Sequence, residues 1–223
     1  MEPGEVKDME GAAANLRDRL LIHLLFHLGC RISEALALTV DDIDFDRCTI
    51  TIQHLKAWLK LSCADCGQRL GRHHAFCPKC GIKISAAQAE QQERRRQRVL
   101  PVDSGTMGML REYVQRGGPI MRDGKAVLFG INRHRGWQIV RRCAERANLP
   151  RLVNPDTGKI HYVSPHKLRD AFAVRALKVN DSGDGLRLLQ QHLGHASFDT
   201  TAKYRKVSGD DHREWCEKLW EKE

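Results

Sequence analysis

Leucines at positions 16, 20, 24 and 28 recur every four residues, with Leu21 and Leu25 beside them. This spacing predicts an amphipathic helix that ends near Gly29. Residues 1–14 carry no such stripe and read as a flexible leader. Ile32, Ala35, Leu36 and Leu38 mark a second helix, and Asp41, Asp42 and Asp44 a loop. Thr49-Ile50-Thr51-Ile52 alternates and is β-branched, which predicts a strand. Val99-Leu100-Pro101-Val102 predicts a second strand, which pairs with 49–55 as a hairpin whose connection is greatly expanded. The polar stretch from Ala86 to Arg98 is expected to be helical in its first part. Asp103 or Ser104 caps a helix to Gln115, stopped by Gly117-Gly118. Another helix, over 133–147, carries Arg133, Arg135, Arg141, Arg142 and Arg146. After a turn at Asn154 to Gly158, Ser164-Pro165 starts a helix with Leu168, Phe172, Ala173 and Leu177 on it. A shorter helix runs from Asp184 to Leu193, with Gly194 as its stop. An amphipathic helix over 209–223, with Trp215, Cys216, Leu219 and Trp220, ends the chain. The pattern is α+β, mainly α-helical, with a small antiparallel sheet.

Size and charge narrow this picture. The 223 residues suit one domain, or one domain and a small module. A hydrophobic share of 41% fits a globular chain, and the formal charge of +9 suggests a polyanion as partner, nucleic acid being the commonest. No stretch reaches the ~18 apolar residues of a membrane span. The longest, Leu20 to Leu28, is broken by His23 and His27. The acidic, polar start MEPGEVKDME does not have the form of a signal peptide. No membrane association is therefore expected, and the reading is cytoplasmic.

The cysteines change the picture more. Four of the eight form two CxxC pairs within CADCGQRLGRHHAFCPKCG, at 63–81. The others, Cys30, Cys48, Cys143 and Cys216, are scattered, as in a reduced compartment with one metal site. Each CxxC-Gly turn aims two sulfurs at one point. Cys63, Cys66, Cys77 and Cys80 would hold a structural zinc ion at ~2.3 Å in a closed tetrahedral site, as in a zinc ribbon. His73 and His74 are alternative ligands but are expected to be exposed. His23 and His27, at i and i+4, lack the glutamate of HExxH and read as ordinary helix residues. Between Ala57 and Arg98 nine Lys/Arg face three acids, so this zinc-binding insertion (57–98) supplies most of the net positive charge. The Arg94-Arg95-Arg96-Gln97-Arg98 run would face phosphates.

Three further segments stand out: LGCRISEALAL at 28–38, SPHKLRDAF at 164–172 and LGHASFDTTAKYRKV at 193–207. Together they resemble the tyrosine recombinase, or phage integrase, family. Arg31 matches the arginine of its G-x-R-[IV]-S-E segment, and His166 and Arg169 match its H-x-L-R segment. His195 matches its L-G-H segment, with Tyr204 nine residues later. Lys56, beyond the TITIQHL strand, stands where the family has its lysine, with Lys60 as the alternative. The resemblance spans residues 15–207 apart from the cysteine insertion, so that 15–223 would be the catalytic domain. Asp170 departs from the basic or histidine residue often found after HxLR.

The resemblance implies a catalytic-domain fold that cuts and rejoins double-stranded DNA through a 3′-phosphotyrosine. It assigns Tyr204 as nucleophile, with Arg31 and Arg169 clamping the phosphate and His195 as third donor. His166 would be the base and Lys56 the acid for the leaving 5′-oxygen. The residue types suit the task. Planar guanidinium groups bind phosphate oxygens bidentately, and a phenol of pKa ~10 needs help to attack. No divalent metal is then needed for the chemistry. The family also implies head-to-tail self-association on DNA in a tetrameric synapse, with Trp215, Leu219 and Trp220 on a neighbour. Members usually carry a core-binding domain ahead of this one, so a stand-alone domain or a piece of a longer protein is expected. Two other readings remain open at this point: a non-catalytic DNA-binding protein with this fold, and type IB topoisomerase-like cleavage without strand exchange.

Overall fold

The computed structural model describes residues 1–53, 58–71, 74–84, 87–92, 97–150, 152–153, 158, 160–195 and 197–204. The chain divides into two compact units, one of Met1–Ile52 and Arg98–Glu223 and the other of Gln53–Gln97.

The larger unit is mainly helical. Helix α1 spans Pro3–Gly11, α2 Leu16–His27 and α3 Ile32–Leu36. The expectation of a flexible leader is therefore corrected. Val6 and Met9, at i and i+3, are buried in the core, and the Glu2 backbone N–H donates to the Glu5 carboxylate at 2.7 Å. A polar chain adds to this. Glu10 Oε1 lies 2.9 Å from His23 Nδ1, His23 Nε2 lies 2.7 Å from Thr106 Oγ1, and the Thr106 hydroxyl donates to Asp103 Oδ2 at 2.6 Å. The same packing corrects the amphipathic reading of α2. Leu20 through Phe26 are all buried, because α1 covers the side that a leader would have left open.

Strand β1 (Ile43–Asp44) runs antiparallel to β2 (Thr49–Gln53), with Ile43 opposite Ile50. In the smaller unit, β3 is Trp58–Cys63, β4 Arg69–Leu70 and β5 Ala87–Gln92. β3 lies between the other two, and its pairing with β5 is antiparallel from Trp58 opposite Gln92 to Cys63 opposite Ala87. The expected helix at the start of 86–98 is therefore a strand. AQAEQQ is helix-favouring by propensity, but its backbone groups are taken by β3, and tertiary pairing overrides so weak a preference.

β6 (Gln97–Pro101) returns to the larger unit's sheet and lies beside β2, as the split-hairpin reading expects. Ile50, Ile52 and Leu100 point into the core. Helix α4 (Ser104–Gln115) follows, its N-cap Asp103 accepting from the Thr106 N–H. Next come β7 (Ile120–Arg122) and β8 (Lys125–Val127), a hairpin turned by Asp123-Gly124, both at positive φ. Such a two-residue turn matches the twist of its strands. α5 (Arg133–Arg146), the short pair β9 (Leu152–Val153) and β10 (Ile160–His161), α6 (Pro165–Val179), α7 (Gly183–Leu193) and α8 (Phe198–Ala202) complete the unit. Leu168 and Ala171 of α6 join the main core. Ala173 and Leu177 pack with Leu186, Leu189 and Leu193 of α7. No helix among the described residues is long and apolar enough to cross a membrane. The expected helix over 209–223 lies outside the described residues.

Candidate active site and cysteine cluster

Two helix ends build the floor of the candidate site. Gly29 follows α2 at φ 54°, and Gly194 follows α7 at φ 66°. Both terminate their helices in the left-handed conformation that glycine adopts without strain. Gly29 has a second reason to lack a side chain, because a Cβ there would run into the Phe172 ring of α6. The carbonyl groups of helix C-termini carry partial negative charge, and here two of them meet one cation. Arg169 Nη1 donates to Gly29 O at 2.7 Å, and Arg169 Nη2 donates to Leu193 O at 2.8 Å. Arg169 is only 2% exposed, which carries a charged group into the core with its hydrogen bonds satisfied.

Arg169 Nη2 also donates to His195 Nε2 at 3.1 Å. That nitrogen must therefore accept, so His195 carries its proton on Nδ1, 2.9 Å from Thr201 Oγ1. Burial, together with the Arg169, Arg31 and Arg98 guanidinium groups, brings His195 down to about 4. It is a neutral imidazole at neutral pH. Burial first, then Arg31, also lowers Arg169, to about 10, which leaves it charged.

Arg31 stands at the start of α3, where the Glu34 carboxylate accepts both from the Arg31 backbone N–H and from Arg31 Nη1, each at 2.9 Å. Glu34 is buried and is held from a second side by Arg98, whose Nη2 donates at 2.7 Å. Burial works against the Glu34 charge, but the Arg98 and Arg31 contacts outweigh it and hold the carboxyl at about 2. Arg98 is thus corrected as a member of the phosphate-facing run: its side chain is 11% exposed and is tied to Glu34. Arg94, Arg95 and Arg96 lie outside the described residues.

Tyr204 follows α8, its backbone N–H bonded to Thr201 O and its ring 6.3 Å from the His195 ring. Its hydroxyl donates to Asp170 Oδ1 at 2.9 Å. Burial, then the Asp170 carboxylate, push the Tyr204 phenol up to about 12, against the pull of Arg169 and Arg31. His166, one turn before Asp170 on α6, has Nε2 3.6 Å from the same Oδ1 and a largely exposed side chain.

Four of the six residues picked from the sequence, Arg31, Arg169, His195 and Tyr204, therefore meet in one cluster. His166 sits at its edge behind Asp170. Lys56 lies outside the described residues, and Lys60 is on β3. Three members were not recognised in the sequence. Thr201 meets His195 Nδ1 and so helps to orient the ring whose tautomer Arg169 sets, and Arg98 was hidden in a run of arginines. Asp170 was visible only as a departure from pattern, although its i+4 spacing from His166 puts both on one helix face.

In the smaller unit the four cysteines converge. Cys63 Sγ lies 3.7 Å from Cys80 Sγ, and Cys66 Sγ lies 3.5 Å from Cys77 Sγ. The two knuckles repeat one backbone pattern. Gly67 N–H donates to Cys63 O and Gly81 N–H to Cys77 O, while Cys63 N–H donates to Gln68 O and Cys77 N–H to Ile82 O. All four sulfurs lie within 4.8 Å of one another. Sulfurs bonded at about 2.3 Å to one tetrahedral ion stand about 3.8 Å apart, so this set can coordinate a metal ion, whereas a disulfide needs about 2.05 Å. The Cys80 and Lys79 backbone N–H groups face the Cys77 sulfur and lower its thiol to about 6. His74 is exposed, its Nδ1 accepting from the Gly71 N–H, and His73 lies outside the described residues. His23 and His27 stack on each other, and His23 is bound in the polar chain to Glu10.

The profile of the phage integrase family matches residues 1–210. The chain belongs to this family. A curated relative, tyrosine recombinase XerD of Corynebacterium glutamicum, is 28% identical over 207 residues, covering 90% of this chain and 51% of the relative. The chain spans about half the length of the curated relatives it matches. Among solved structures, the XerA recombinase is similar with a TM-score of 0.63 at 20% identity, over 100% of this chain and 64% of that one. The Tn1549 transposon integrase in complex with circular intermediate DNA has a TM-score of 0.62 at 18% identity, over 98% and 66%. The fold of this phage integrase family member is thus the mainly helical α+β tyrosine-recombinase catalytic domain, interrupted by a cysteine cluster consistent with a zinc-ribbon-like insertion.

Proposed function

We propose that the chain is the catalytic part of a site-specific DNA recombinase that cuts and rejoins strands through a 3′-phosphotyrosine. The observation that carries this reading is the continuous linkage of Arg31, Glu34, Arg169, His195, Asp170 and Tyr204. It sets permanent cations beside a tyrosine hydroxyl. A phosphodiester seated there meets Arg31 first, the more exposed guanidinium. Arg169 reaches the phosphate by giving up its bond to His195, whose Nε2 then donates to the phosphate as a third contact once the ring proton has moved from Nδ1 to Nε2. Preorganised cations stabilise the charge that develops on the non-bridging oxygens, and loss of one such donor costs about 2.7–4 kcal/mol of transition-state stabilisation.

Tyr204 attacks phosphorus, its proton leaves toward the Asp170 and His166 side, and the 5′-oxygen departs protonated by Lys56. The bond energy kept in the phosphotyrosine allows a second 5′-hydroxyl to rejoin the strand. DNA as partner is supported by the complexes solved for the structural relatives, the Tn1549 integrase with circular intermediate DNA among them. We assign zinc to the four cysteines as a structural ion, on the sulfur spacing above. Self-association into a head-to-tail tetrameric synapse through the 209–223 segment, and a cytoplasmic setting that keeps the thiols reduced, complete the proposal.

The test is covalent capture on nicked duplex DNA carrying a recombination site of the element that encodes the chain. The wild-type chain is expected to leave a DNA adduct that survives denaturation, and Tyr204→Phe none, with unchanged DNA binding. An adduct of undiminished yield in Tyr204→Phe would refute the reading. Recombination between two such sites separates a recombinase from topoisomerase-like cleavage.

A further inference from the structure

The base that serves the tyrosine is the point at which the geometry departs from the sequence expectation. His166 was the expected base, yet its imidazole does not touch the Tyr204 hydroxyl. Asp170 does, at 2.9 Å, and His166 Nε2 stands 3.6 Å from the same carboxylate oxygen. The side chain of Asp170 is 26% exposed and that of His166 is 76% exposed. The order from the reacting atom outward is therefore phenol, carboxylate, imidazole, solvent. We propose that Asp170 is the catalytic base that receives the Tyr204 proton, with His166 acting through it as a positioning and relay residue. This inference rests on the phosphotyrosine reading above.

The step balances. As the bond between Tyr204 Oη and phosphorus forms, the Tyr204 O–H bond breaks and its proton passes to Asp170 Oδ1. The bond from phosphorus to the 5′-oxygen breaks, and its electron pair leaves with that oxygen, which takes a proton from Lys56, the acid proposed above. In the rejoining step the protonated Asp170 returns its proton to the departing tyrosine. Proton removal has to accompany attack, because a phenol raised to about 12 supplies almost no phenolate beforehand. Among the described residues, the titratable and charged groups that face this carboxylate and its tyrosine are His166 on the same helix and the guanidinium groups of Arg31 and Arg169.

The opposite role for a carboxylate on a tyrosine hydroxyl is a latch that restrains the nucleophile. The experiment separates the two. The probe is a short DNA duplex with a 4-nitrophenyl phosphodiester at one 3′ end, in which nitrophenolate replaces the 5′-oxygen and leaves without an acid. Its release by the full chain is followed by absorbance, together with the covalent adduct. Asp170→Asn keeps the shape and can accept the tyrosine hydrogen bond but cannot accept the proton. It is expected to slow release by about 10²–10⁴-fold, the range of a lost general base. Asp170→Glu restores part of the rate, which a folding defect would not allow, and His166→Gln slows release less than Asp170→Asn. Release by Asp170→Asn at or above the wild-type rate overturns the proposal, as does a larger loss in His166→Gln than in Asp170→Asn. If the wild-type chain releases nothing, or Tyr204→Phe releases as much as wild type, the phosphotyrosine reading itself fails and this inference with it.

Discussion

The two units of the chain are stabilised by different physics. The larger one buries the whole stretch from Leu20 to Phe26 of α2, and its core includes Leu20, Leu21, Leu24, Leu25, Ile50, Ile52, Leu110 and Leu128, each no more than 2% exposed. The smaller one, Gln53–Gln97, has as its described buried cluster Cys63, Leu70 and Cys77, with Cys66 and Ile84 packed against it. A segment that short cannot bury enough apolar surface to offset its chain entropy. Three of those five cluster members belong to the four-cysteine set that can coordinate a metal ion. In the larger unit the charged site is added to a fold that already holds; in the smaller one the ligand set is the core. A unit of the first kind should lose stability in increments and one of the second kind all at once.

The largest expected effect tests that contrast directly. Zinc removal by a chelator, or Cys77→Ser with Cys80→Ser, should unfold the module outright, since metal-binding free energy is folding free energy in such sites. Hydrogen exchange should show the amides of β3 and β5 losing protection while those of α2 keep theirs. Bound metal should measure one zinc per chain before treatment. If β3 and β5 stay protected without metal, the comparison breaks.

Within the larger unit, Glu34→Gln should cost about 3–5 kcal/mol at neutral pH, because it leaves buried arginines without their counter-charge. The pH dependence gives a second measure. Glu34 is shifted from 4.5 to about 2, a difference worth roughly 3 kcal/mol. With the folded value below the unfolded one, this stabilisation is complete above about pH 4.5 and is lost as pH falls toward about 2. Denaturant melts of wild type should therefore weaken across that window, and those of Glu34→Gln should be flatter there. Leu110→Ala, at a site with 0% exposure, should cost about 2–5 kcal/mol and leave zinc content unchanged. Asn132→Ala removes the side-chain cap that accepts the Arg135 N–H on α5. The smallest loss, about 1 kcal/mol by thermal melting, is expected there.

The site was more legible in the sequence than the fold around it. Arg31, Arg169, His195 and Tyr204 lie in short segments whose internal spacing is set by chemistry, so they could be read with no knowledge of packing. The CxxC pairs were legible for the same reason, since a knuckle is a local turn. Elements whose state is set by a remote partner were read wrongly. Val6 and Met9 are two apolar residues among polar ones, too few to form a stripe, and they become a helix face only because α2 offers an apolar side. AQAEQQ has no strand signal of its own and is a strand because β3 pairs with it. The Asp123-Gly124 hairpin carries a local turn signal in its Asp-Gly pair.

The sequence by itself determined the family, and it singled out Arg31, Arg169, His195, Tyr204 and the two CxxC pairs as candidates. Those depend on residue type and on spacing over a few positions, which the chain carries in one dimension. Only the tertiary structure decided which groups share a charge. Arg98, 64 residues from Glu34, completes its ion cluster, and Arg169 is seated on the carbonyl ends of two helices that lie far from it in the chain. It also decided that Asp170, 34 residues before Tyr204, rather than His166, meets the tyrosine hydroxyl. Electrostatic and hydrogen-bond contacts act over a few ångströms of space, so sequence separation does not reveal them until packing has brought the partners together.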